Sequence, residues 1–178
     1  MSIVANIFSL VHHWNLHREN PGYYRVAYCP HCGKAGLWFH GSYGRKADRE
    51  SQPGESLNPV LIPRFFCPSC ERTCSALPEC IPPKRWYLWK IQEAALLAVL
   101  MGKSFSAVER ELLPSRQTVS RWVSCFKVKF HLHKDTLCGL FPDLGHAVGF
   151  GDFWRTFLGT QPLSTGMRLC HVSGVEIP

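Results

Sequence analysis

Apolar residues recur along this chain with more than one period, and each period predicts a different element. Near the start Ile3, Ile7, Leu10, Val11 and Trp14 fall on one helical face. This spacing predicts an N-terminal helix within residues 1–22, closed by the turn signal Asn20-Pro21-Gly22. Residues 37–43 and 60–66 then mix aromatic, β-branched and polar side chains between turn formers, and read as the two strands of a hairpin. Residues 48–59 are polar and broken by Pro and Gly, which makes them the loop at its tip. Pro63 has no N–H to give to a ladder, so its strand, or at least that side of it, is expected at a sheet edge.

From Leu88 onward the period is helical. Leu88, Ile91, Ala95 and Ala98 repeat at i+3 and i+4, and Leu96, Leu97, Val99 and Leu100 fill most of the gaps. A helix apolar nearly all round is a buried central one, and Met101-Gly102 stops it. The stiff stretch of Pro78, Pro82 and Pro83 precedes it. Ser106-Ala107-Val108-Glu109 has the form of a capping box, opening a short helix that packs through Val108 and Leu112 and breaks at Leu113-Pro114. Ser115 reads as the N-cap of the next helix, whose apolar stripe is Val119, Trp122, Val123, Phe126 and Phe130. A short helix, a tight turn and a stripe-bearing helix form the helix-turn-helix pattern. After Lys134 the signal weakens, and Asp152-Phe153-Trp154 is expected to join Phe150, Phe157 and Leu158 in a small helical pack.

Cysteine spacing changes the picture of the first half. Cys29-Pro30-His31-Cys32 is answered by Cys67-Pro68-Ser69-Cys70 after 34 intervening residues. Each pair makes a knuckle whose thiolates converge, and Zn²⁺ in a closed structural site takes four sulfurs at about 2.3 Å. Gly33 suits the turn that closes the first knuckle, because it accepts positive φ, whereas Glu71 stands at the matching place in the second. The hairpin therefore reads as a small zinc ribbon with one structural zinc at Cys29, Cys32, Cys67 and Cys70. Disulfides are the weaker reading, since nine cysteines leave one over. A catalytic zinc would need an open position, which two complete pairs do not leave. Cys74, Cys80, Cys125, Cys138 and Cys170 are expected to be buried free thiols. Free thiols beside a zinc site point to a reducing cytoplasm. Residues 1–22 lack the charged start and cleavage site of a signal peptide, and no apolar run suggests a membrane span.

The 178 residues carry a net charge of +7, and residues 84–134, with ten Lys/Arg against three acids, account for the whole of it. Such concentration favours a polyanionic partner, because neutralising phosphates releases counterions. On the third helix Gln117, Ser120, Arg121 and Ser124 lie largely opposite the apolar stripe, with Arg116 and Lys127 flanking, and Thr118 is expected to join them in contacting DNA. Arg pairs with guanine, Gln with adenine, and hydroxyls with base edges or phosphate. Lys84, Arg85 and Lys103 are expected to add phosphate contacts. The acids after Lys134 (Asp135, Asp143, Asp152 and Glu176) sit in 44 residues, too few for the sheet that an acidic nuclease site is normally built on.

Taken in order, Cys29-Pro30-His31-Cys32-Gly33, the run from Arg64 to Cys70, Arg72-Thr73-Cys74 through Pro78, and Pro83-Lys84-Arg85-Trp86 followed by a helix-turn-helix resemble the N-terminal region of bacterial insertion-sequence transposases and related short mobile-element proteins. The resemblance covers roughly Tyr28 to Phe126. It implies zinc at the four paired cysteines and DNA contact by the helix that opens at Ser115. Cys74 stands where such proteins commonly carry an aromatic, and the acidic catalytic domain of a full transposase has no counterpart, which speaks against strand transfer.

The expectation is an α+β, mainly α chain. Residues 1–22 form an N-terminal helix, 23–80 a zinc ribbon, 81–134 a helix-turn-helix domain and 135–178 a helical extension. Its function is expected to be non-enzymatic, sequence-specific binding of double-stranded DNA in a bacterial nucleoid, with a mobile-element setting ahead of transcriptional regulation. The expected partners are duplex DNA, a transposase or other recombination protein and a second copy of the chain as a homodimer, with no membrane. The rival of a different class is an adaptor that holds another protein through the ribbon and the aromatic-rich termini.

Overall fold

A computed structural model describes residues 2–46, 56–83 and 87–178. Lys84 and Arg85, and most of the loop expected over residues 48–59, lie outside the described residues. The chain is α+β, with seven α-helices and a four-stranded sheet among the described residues. It divides into two compact units, Met1–Leu88 and Trp89–Pro178. No described helix is long and apolar enough to cross a membrane.

The first unit is built on a sheet in the order β1-β4-β3-β2, with β1 at Ser2–Val4, β2 at Trp38–Arg45, β3 at Val60–Cys67 and β4 at Arg72–Pro78. Strands β2, β3 and β4 run antiparallel to their neighbours, whereas β1 pairs parallel to β4 from Ser2 opposite Ala76 to Val4 opposite Pro78. Side chains alternate across the sheet and feed a core on each face. Phe65, Cys67, Cys74 and Ala76 pack with Ile7, Tyr24, Cys29 and Leu37 on one. Val60, Ile62 and Leu77 pack with Leu10, Cys80 and Ile81 on the other.

The structure departs from two sequence expectations in this unit. Ile3 lies in β1, not in a helix, and α1 begins only at Leu10, where Ser9 caps it by accepting from the His12 N–H. The left-handed Asn6 (φ 63°), whose N–H donates to Glu79 at 2.9 Å, turns the chain between the two elements. Spacing alone could not separate a short strand and a turn from one helical face. The strand holding Pro63 is central in the sheet, although at Pro63 itself it pairs with β2 alone, so one side of it is an edge there. Pro63 is tolerated because β4 pairs with β3 only from Arg64 onward, and because the β2 ladder slips between Phe39 and Ser42 beside it. Gly41, at φ +82°, is the left-handed residue in that bulge.

Helix α1 (Leu10–Glu19) sends His13 into the first unit, where it is 2% exposed. Its Nε2 lies 2.9 Å from the Leu61 carbonyl, which can only accept, so Nε2 carries the proton and Nδ1 accepts from the Tyr24 hydroxyl. Burial outweighs that carbonyl and lowers the His13 pKa from 6.5 to about 4. The unfolded chain takes up this proton below 6.5 and the folded chain only near 4. Stability of the unit therefore falls as the pH drops through that window, by up to about 1.4 kcal/mol per unit. Thermal melts at saturating metal between pH 7 and 4 check this: His13→Gln should remove that part of the pH dependence.

The second unit is helical: α2 (Trp89–Leu100), α3 (Phe105–Glu111), α4 (Arg116–Val128), α5 (Phe130–Cys138), α6 (Gly149–Thr160) and α7 (Leu163–Val172). The central place expected for the first apolar helix is occupied by α2, which touches α3, α4, α6 and α7. Helix α3 is capped by Ser104, which accepts from the Ala107 N–H, rather than by the box at Ser106. Phe130 belongs to α5, because the chain breaks helix at Lys129 without a Gly or Pro to mark it. Helix α5 crosses the boundary expected at 134/135, and α6 and α7 pack on α2 within the same unit. Asp152, in the first turn of α6, accepts from the N–H of its N-cap residue Val148 at 2.9 Å, and Phe153, Trp154 and Phe157 fill the interior. Cys74, Cys80 and Cys170 are buried as expected, whereas Cys125 and Cys138 are half-buried.

Helices α6 and α7 meet at Gly166, where an added Cβ would stand 2.7 Å from Cζ of the fully buried Phe157. Gly166→Ala is therefore expected to lower stability by about 1–3 kcal/mol through overpacking, read as a lower melting temperature of the helical unit.

Candidate functional site

Two places collect the residues singled out by the sequence. In the first unit, Sγ atoms of Cys29, Cys32, Cys67 and Cys70 all lie within 4.8 Å of one another. Cys29 and Cys70 are 3.7 Å apart, as are Cys32 and Cys67. A tetrahedral shell of sulfurs about 2.3 Å from a central ion has edges of about 3.8 Å, so this group is compatible with a single metal ion. Among the described residues no other set of three or more His, Cys, Asp or Glu converges in this way.

The two knuckles share one local design. The Gly33 N–H bonds to the Cys29 carbonyl, and the Glu71 N–H bonds to the Cys67 carbonyl, both at 2.9 Å. Both closing residues are left-handed, Gly33 at φ +72° and Glu71 at φ 55°, so the turn is made even where no glycine stands. The His31 N–H points at Cys29 Sγ from 3.4 Å, and its side chain stays outside the thiol group. Tyr28 and Ala35 bridge across the base of the first knuckle, and the second joins β3 to β4 directly. Cys29 and Cys67 belong to the core, while Cys32 is exposed.

Four thiols this close do not hold their protons independently. Burial pushes Cys67 up, but N–H groups of Cys70 and Ser69 and neighbouring thiols draw it down to about 7. Burial and the surrounding cysteines push Cys70 up to about 12. Metal binding to such a group must expel protons, so its affinity weakens as the pH drops.

The second place is on the helical unit. Ser115 caps α4 by accepting from the Thr118 N–H at 3.3 Å, and Val119, Trp122, Val123 and Phe126 are buried. On the opposite side Arg116, Gln117, Ser120 and Arg121 line one open groove of about 680 Å³ together with Ser104, Phe105 and Ser106 from the start of α3. These last three are residues the sequence reasoning missed; the Ser104 cap was the available signal. The groove does not take in every expected residue. Thr118 is half-buried, with its hydroxyl 3.1 Å from the Ser115 hydroxyl. Ser124 is exposed farther along α4, and the Lys127 ammonium lies over the Phe150 ring, 6.0 Å from its centroid. Lys103 is ion-paired with Glu111.

Both places fall inside one segment, residues 29–122, that matches the family model described as Domain of unknown function (DUF6431). The match takes in just over half of the chain. This chain belongs to the DUF6431 family. No curated protein and no solved structure matches it. The DUF6431 segment begins at the first thiol of the cluster and ends at Trp122, on the buried stripe of α4. It thus spans both knuckles, the sheet strands β2 to β4, and the groove-lining half of α4; β1, α1 and α5 to α7 lie outside it.

Proposed function

We propose that the chain is a non-enzymatic protein that binds double-stranded DNA by sequence, with α3 and α4 acting as a helix-turn-helix and α4 entering the major groove. One observation carries the reading: four residues able to read base edges or phosphates, Arg116, Gln117, Ser120 and Arg121, line one open groove at the N-terminal half of α4. Docked recognition helices use that end for base contact. The concentration of positive charge in residues 84–134 supports it, and Lys127 lies farther along the same helix for phosphate contact.

The four-thiol group is a structural zinc site in this reading, and the first unit a zinc ribbon. Four sulfur ligands leave no position for a substrate, and a thiolate set selects a soft or borderline ion such as Zn²⁺. The resemblance to insertion-sequence transposases makes end recognition or an accessory role in a mobile element the setting of choice, in the bacterial cytoplasm, with a recombinase as partner and a homodimer as the form that reads two half-sites.

The test is a salt titration of duplex affinity after selection from random duplexes. Groove binding should select a consensus and lose affinity with a log–log slope of about −0.9 for each phosphate neutralised. A shallow slope with no consensus refutes the reading and leaves the protein adaptor.

A further inference from the structure

The cluster that buries Val60 and Ile62 extends along its sheet face as far as Tyr43. Beyond it, toward the cysteine knuckles, the same face of β3 continues as Arg64 and Phe66, both half-buried. Trp38, opposite Phe66 on β2, is 63% exposed. His40, exposed on the bulge, holds its ring 6.0 Å from that of Phe66, at 38° to it. The Arg64 guanidinium lies 5.9 Å from the centroid of the Tyr43 ring and donates to the Thr73 hydroxyl at 3.1 Å. Thr73 in turn faces Phe66 from β4. Hydrogen-bonded strands thus present rings and a guanidinium side by side on a stiff support.

Charge decides what such a face suits. On this face β2 and β3 carry Arg45 and Arg64, and the three strands carry no carboxylate, so a basic peptide finds no complement there. A duplex hides the flat faces of its bases in the stack, whereas unpaired bases offer them to aromatic side chains while their phosphates meet arginine. We infer that this face binds single-stranded DNA, with Trp38 and Phe66 stacking on unpaired bases and Arg64 holding the backbone between them. The stacking argument stands apart from the groove on α4; the choice of DNA over RNA rests on the function proposed above.

The experiment uses the full zinc-loaded chain and a fluorescein-labelled oligothymidylate of about 16 nucleotides, the upper end of a single-strand site. Anisotropy at moderate salt should show saturable binding. Trp38→Ala and Phe66→Ala should each weaken it at least about five-fold, the lower end expected for one lost stack, and Trp38→Phe should restore most of it. Zinc stoichiometry should stay unchanged, which guards against a folding defect. No binding, or binding indifferent to both alanine variants, overturns the inference. Binding lost only in Arg121→Ala does so as well, because it places the strand in the α4 groove. Preference for oligouridylate of the same length overturns the choice of DNA. Trp38-dependent single-strand binding in a chain that ignores every duplex sinks the reading of α4 and leaves this one standing.

Discussion

Cys32→Ser is expected to abolish stoichiometric zinc binding and to melt the Met1–Leu88 unit, while the helices of Trp89–Pro178 keep their own transition. Cys32 is the informative ligand because it is exposed, whereas Cys29 and Cys67 also fill the core. Replacing an exposed thiol by a hydroxyl removes almost no packing, so a large effect has to come through the metal. That effect should be large. Structural zinc contributes roughly 10–16 kcal/mol of apparent binding free energy in small zinc modules, comparable to the about 5–15 kcal/mol that holds a whole domain together. The knuckles also fix the ends that join β3 to β4 and lead into β2, so without a shared ion nothing ties those ends together. Metal content, calorimetry and circular dichroism of the variant check the expectation, with Cys138→Ser as the control that should retain both metal and melting temperature. Two unchanged transitions in Cys32→Ser would mean that the thiol group is not a metal site.

Arg121→Ala should weaken binding to the selected duplex about 5- to 150-fold, the range of one lost bidentate contact, and relax the preference at a single base position. Arg116→Ala should do the same at a neighbouring position. Both side chains are exposed on α4, so the helical unit should melt as before. Lys127→Ala supplies the contrast. As a phosphate contact it should weaken binding to all sequences alike and lower the salt slope by about 0.9. Lys103, already paired with Glu111, should matter less than its charge suggests. Footprints and competition with single-base variants of the site separate these outcomes. Equal losses on every sequence for Arg121→Ala would show that the arginine grips the backbone and reads nothing.

Much of the fold was legible where one local rule governs. Two Cys-x-x-Cys pairs named four thiols that meet within 4.8 Å, because a knuckle is closed by its own backbone. Ser115 announced α4 for a similar reason: the cap that satisfies its first turn lies within three residues. What stayed hidden depends on distant partners. Nothing near Ser2–Val4 says that it pairs with a strand more than 70 residues away, and Ile3 fell in with a helical spacing by chance. Pro63 was read through the rule for edges, yet a bulge on β2 and the short reach of β4 leave its missing N–H without consequence. The groove was half legible: rotation about α4 found Arg116, Gln117, Ser120 and Arg121, but Phe105 enters only through the way α3 leans on α4.

The parallel β1 strand sets an order of events during synthesis. Its partner β4 leaves the ribosome only after both knuckles have been made, so β1 has no seat in the sheet until all four paired cysteines have emerged. Such long-range closure is slow, and meanwhile the flank of β4 stands open to any extended segment nearby. If the four thiols hold a metal ion as proposed, scarcity of that ion would show first as aggregation at the translating ribosome.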